Sequence, residues 1–156
     1  MWPVVLALLC QAPDAGKAPS PREMAQLFFL AGDLRRAVDA GRRCVELEGK
    51  KKCGDFYRAL VEYQALIPRN TELTPAEAKA YLEWDHAISP GAEGKLTASV
   101  RQRYVTDPLE HAKRAKDEGD LARAKALAKA VLDVEPKNAE AVALLRAAGQ
   151  PTGAKK

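Results

Sequence analysis

Apolar residues along this chain recur at steps of three and four, the period of a helix with one buried face. The clearest stripe runs through Leu121, Ala124, Leu127, Ala128, Val131 and Leu132, while Arg123, Lys125 and Lys129 fall off it. The segment before it opens on Asp107-Pro108-Leu109-Glu110. Asp107 is placed to accept the free N–H groups of a first helical turn, and Glu110 to reach back. Pro108 fits the first helical position, where its missing N–H would be unpaired anyway. Gly119-Asp120 predicts a stop and a tight turn, since glycine ends a helix in a left-handed conformation without a Cβ clash. Pro136 closes the second helix, and Asn138 caps a third that starts at Ala139.

The same punctuation occurs near the start of the chain. Ala25, Phe28, Gly32-Asp33-Leu34 and Ala37 repeat the spacing of Ala112, Ala115, Gly119-Asp120-Leu121 and Ala124. Ser20-Pro21-Arg22-Glu23 supplies a matching helix start. Met24, Leu27, Phe28, Leu34, Val38, Val45 and Leu47 are expected mainly inward. In the run Phe28-Phe29-Leu30 one side chain must face outward or into a neighbour, and Phe29 is the best candidate for a partner contact; packing on the next helix is its competing role.

Between the two units the pattern is looser. Gly49-Lys50-Lys51-Lys52 reads as a basic loop, followed by a third helix carrying Phe56, Tyr57, Leu60, Tyr63, Leu66 and Ile67. Pro68-Arg69-Asn70 ends it, and the capping box Thr74-Pro75-Ala76-Glu77 opens a fourth helix with Tyr81, Leu82, Trp84 and Ile88. After Ser89-Pro90-Gly91, a fifth helix with Leu96, Val100, Tyr104 and Val105 leads into Asp107. No run alternates apolar and polar residues between turn signals, so strands are not expected. The fold class is therefore all-α, a stack of antiparallel helix pairs forming one domain over residues 21–148.

At Ala112, Gly119-Asp120, Ala124, Pro136 and Asn138 the chain resembles the tetratricopeptide repeat family, a two-helix repeat of about 34 residues. Pro108 and Ala115 stand where that family places bulky aromatic residues, and Val131 where it places a small one. The resemblance implies a non-catalytic scaffold that binds a protein or peptide, with the first helix of each pair lining a concave face. That assigns Arg22, Gln26 and Phe29 from one unit and Leu109, Lys113 and Lys116 from the other. Lys113 and Lys116 suit carboxylates, or simply solvate their face. The rival reading is a small structural or assembly subunit of a cell-envelope complex, held through an apolar patch.

The ends bear on compartment. Residues 1–12 read as an export signal, with a short apolar run from Met1 to Leu9. Cys10 also allows a lipid anchor, although Leu9 before it is larger than that processing favours. Residues 13–20 read as a flexible linker and residues 149–156 as a disordered tail. The mature chain is then expected in the periplasm or secreted, or at a membrane surface if Cys10 is acylated. Cys44 and Cys53, on adjacent helices joined by a short loop, are expected to form a disulfide there. In a reducing compartment they would be two buried thiols.

Charge and motifs give no reaction centre. The net charge of +4 is spread, and acidic residues interleave almost everywhere except at Lys50-Lys51-Lys52, so no nucleic-acid partner is expected. Gly91-Ala92-Glu93-Gly94-Lys95-Leu96-Thr97 has two residues between its glycines where a phosphate-binding loop needs four, and Leu96 separates the lysine from the hydroxyl. His86 and His111 lack the spacing of a zinc site. No metal, cofactor or catalytic residue is expected, nor a transmembrane span.

Overall fold

The computed structural model describes residues 18–67 and 72–149. Expectations about the export signal, Cys10, Pro68-Arg69-Asn70 and the chain after Gly149 lie outside those residues. The described chain is all-helical: α1 Pro21–Ala31, α2 Leu34–Glu48, α3 Lys50–Ala65, α4 Pro75–Ile88, α5 Lys95–Arg101, a π-helical turn Gln102–Thr106, α6 Asp107–Asp117, α7 Leu121–Val134 and α8 Ala139–Gly149. Neighbours in sequence pack on one another, and α4 also packs on α7. Gly149 closes α8. No helix among the described residues is long and apolar enough to cross a membrane.

The two recurrent turns share one geometry. Gly32 and Gly119 both sit at φ +84°. Asp33 N–H donates to the Phe28 carbonyl at 2.9 Å, and Asp120 N–H to the Ala115 carbonyl at 2.8 Å. Each Asp side chain then accepts from the N–H three residues on, Arg36 at 3.2 Å and Arg123 at 3.0 Å. A left-handed glycine followed by an Asp cap thus ends one helix and starts the next in both units. The capping boxes at Ser20/Glu23 and Thr74/Glu77 form as their sequences predict.

Four expectations are corrected. Lys50, Lys51 and Lys52 are not a loop; they are the first turn of α3, and Gly49 at φ +90° is the whole connection. Asp107 does not cap a new helix, because α5, the π-helical turn and α6 run on without a break, and Asp107 itself has helical angles. Its N–H donates five residues back to Gln102, and its side chain accepts from Gln102 Nε2 at 2.6 Å. Proline inside a helix lacks a donor and crowds the carbonyl four residues earlier; the widened turn just before Pro108 accommodates both. Leu27 is 53% exposed, since Ala25 and Phe29 set the buried face of α1 and Leu27 lies two residues from each. Leu47, in the last turn of α2 beyond Cys44, is 75% exposed.

Two apolar cores result. Ala25, Phe29, Leu34, Ala37, Phe56, Leu60, Tyr63, Tyr81 and Ile88 belong to the first, between α1, α2, α3 and α4. Ala78, Val105, Leu109, Ala112, Ala128, Val131, Val134, Ala141 and Leu144 belong to the second. Helix α4 feeds both, and Leu73 and Val100 pack against both, so α4 is the joint of the molecule.

Candidate functional site

Helix α4 carries different chemistry on its two sides. Inward, Asp85 is 6% exposed and accepts from Gly94 N–H at 2.9 Å and from Thr97 Oγ1 at 2.6 Å. With its proton committed to Asp85, Thr97 Oγ1 accepts from the Tyr63 hydroxyl at 2.7 Å. The chain of donors therefore runs from α3 through α5 to α4. Burial pushes the Asp85 carboxyl above its ordinary range, against the opposing pull of the Thr97 and Gly94 hydrogen bonds. Burial likewise pushes the Tyr81 hydroxyl up to about 12. Around this network, Phe29 meets Tyr63 edge-on at 4.9 Å and Tyr63 meets Tyr81 at 4.7 Å. No buried side-chain polar atom among the described residues lacks a partner, so the network is closed and structural.

Outward, Lys79, Leu82, Glu83 and His86 fall on one stripe of α4. They face Val134, Glu135, Pro136, Lys137 and Asn138, the end of α7 and the turn into α8, across a groove of about 620 Å³. Leu82, Val134 and Pro136 are its apolar members. The far wall is fixed by four contacts: Arg101 ion-pairs with both Glu93 and Glu135, Asn138 Nδ2 donates to Glu135 at 3.0 Å, and Ala141 N–H donates to Asn138 Oδ1 at 3.0 Å. Both acidic members of the groove thus have partners, Glu83 pairing with Lys79 at 3.8 Å. His86 and Lys137 make no ion pair among the described residues and stay available as donors.

The residues expected on a concave face are not brought together. Phe29 and Leu109 lie in the two cores, 1% and 5% exposed. Of the two roles weighed for Phe29, packing on a neighbouring helix is the one found, in place of a partner contact: its ring meets Tyr63 of α3, and its neighbours Phe28 and Leu30 are half-buried. Gln26 donates to the Ile88 carbonyl at 2.9 Å, a packing contact. Arg22 is exposed and stands over the Phe56 ring at 4.9 Å. Lys113 pairs with Glu140 at 2.6 Å, and Lys116 is exposed, with no ion pair among the described residues. Helices α3 and α4 thus occupy the side of α1 that the resemblance leaves open. The groove members were visible in sequence only as a helix stripe and a Pro-Lys-Asn turn; nothing in one sequence sets α4 against that turn.

The described residues define an all-α protein of paired helices with an open groove at the joint between two cores. Comparisons with protein-family models, curated proteins and solved structures give no match.

Proposed function

We propose that this chain is a non-catalytic, tetratricopeptide-like scaffold that binds a protein or peptide segment in the groove between α4 and the α7–α8 turn. The observation that carries this reading is the groove itself: apolar Leu82, Val134 and Pro136, held by a braced turn, with His86 and Lys137 free to donate. Sites of this build suit an apolar anchor flanked by groups that accept hydrogen bonds. The shared geometry of the Gly32-Asp33 and Gly119-Asp120 turns supports the tetratricopeptide part of the reading. The disulfide-distance pair Cys44 and Cys53, Cα–Cα 5.8 Å, supports an exported protein.

A displayed random-peptide library panned on the purified protein tests the proposal. Enriched peptides should carry an acidic residue beside an apolar one. Leu82→Ser, or His86→Glu with Lys137→Glu, should weaken them at least about tenfold, about 1.4 kcal/mol. Absence of enrichment, or peptides indifferent to both changes, contradicts it.

A further inference from the structure

The corner where α2 turns into α3 holds a second cluster, remote in sequence from the groove. Cys44 lies on the buried side of α2, and Glu48 follows four residues later, near the same face. Cys53 approaches from the first turns of α3, its Cα 5.8 Å from that of Cys44. The two sulfurs and a Glu48 carboxylate oxygen all lie within 4.8 Å of one another. Both cysteines are buried, and Glu48 is exposed, at the solvent side of the cluster.

We propose that, once reduced to two thiols, Cys44 and Cys53 bind a borderline-soft divalent ion of the Zn²⁺ class together with Glu48. Two thiolates about 2.3 Å from a tetrahedral ion stand about 3.8 Å apart, and a carboxylate oxygen binds at about 2.0–2.2 Å. Opening the sulfurs to that separation takes side-chain rotation at a fixed backbone spacing, and Glu48, no more than 4.8 Å from either sulfur, has to close in by at most about 1.2 Å. The fourth position faces solvent on the Glu48 side. Sulfur ligands select such an ion over Mg²⁺ or Ca²⁺, which take oxygen donors. Two thiolates and a carboxylate leave the occupied site one negative charge in excess. Lys50, Lys51 and Lys52, which make no ion pair among the described residues, stand beside it to offset that charge. Lysines near a thiol also favour its thiolate form.

The balance of the step sets its condition. A phosphine or dithiol reductant delivers two electrons to the disulfide, and each sulfur takes a proton. The ion then displaces those two protons as it binds. The oxidised corner has no thiolate to offer, so metal capture is gated by redox state. This site is independent of the groove reading, and neither result bears on the other.

The test uses the full chain carrying Cys10→Ser, so that only this pair supplies thiols. Co²⁺ added to phosphine-reduced protein should produce a thiolate-to-cobalt charge-transfer band saturating at one equivalent. Zn²⁺ should abolish the band, and non-reduced protein should give none. Glu48→Gln should weaken Zn²⁺ at least tenfold, measured by competition with a chromogenic chelator. Far-UV circular dichroism follows the fold in parallel: if the reduced protein loses helix, Zn²⁺ should restore it. A reduced protein with no charge-transfer band overturns the proposal. So does a Glu48→Gln variant that binds Zn²⁺ as tightly as the parent, or a reduced, unfolded chain that Zn²⁺ does not rescue.

Discussion

Asp85 and Gly94 show how tightly the first core is specified at single positions. A Cβ added at Gly94 would lie 2.8 Å from Phe29 Cε1 and 3.0 Å from Asp85 Oδ1. The ring is held edge-on against Tyr63 and cannot retreat easily, so Gly94→Ala should destabilise by about 1–3 kcal/mol, read from chemical denaturation. Asp85 has a pH signature. Its folded-state pKa is raised, so between the ordinary carboxylate value and the raised one the folded state holds more protons than the unfolded state. Stability from this group is therefore present at low pH and lost as pH rises through that window. Asp85→Asn keeps an oxygen acceptor for Gly94 N–H and Thr97 Oγ1 but removes the charge. Melting temperatures from about pH 4 to about pH 8 should show the variant gaining on the parent as pH rises. A variant whose midpoint keeps a constant distance from the parent's, or falls further behind it as pH rises, would mean that Asp85 is not the group responsible.

At the scale of elements, small residues decide where helices cross. Ala37 and Ala124 are fully buried at corresponding positions of the two recurrent units, as their spacing after the Gly-Asp turn implies. Ala124→Leu should cost about 1–3 kcal/mol by overpacking, seen as a lower thermal midpoint. An unchanged midpoint would separate the second unit from the first. Gly41 marks a close approach of α2 to α3: a Cβ there would come within 2.7 Å of Leu60 Cδ1. Sequence did not mark Gly41, since a mid-helix glycine without an alignment says nothing of what lies across it. Turn and cap chemistry was legible because it is local: Ser20/Glu23, Thr74/Glu77, Gly32 and Gly119 each act within about four residues. Asp107-Pro108 misled for the same reason. Its local signature is that of a helix start, yet the chain continues through a π-helical turn. There Tyr104 accounts for part of the packing, accepting from Leu73 N–H at 2.8 Å, a contact thirty-one residues apart.

At the scale of the molecule, α4 joins two cores, and that long-range fact moved the candidate site. The family resemblance placed binding residues on α1 and α6, but α3 and α4 pack on α1 there, and Phe29 and Leu109 are core residues. What stays open is the groove on the other side of α4, shaped by its contact with α7. Its members come from stretches about fifty residues apart, and the Arg101–Glu135 ion pair that braces its far wall joins residues thirty-four apart. The central claim is therefore one of place: a partner segment seats against α4 and the α7–α8 turn. Backbone amide shifts of isotope-labelled protein, titrated with the best library-selected peptide, test it most directly. The account predicts shifts concentrated at Lys79, Leu82, Glu83, His86, Lys137 and Asn138, with Arg22, Lys113 and Lys116 unmoved. Shifts centred on Arg22 or Lys116, with the groove silent, would contradict it.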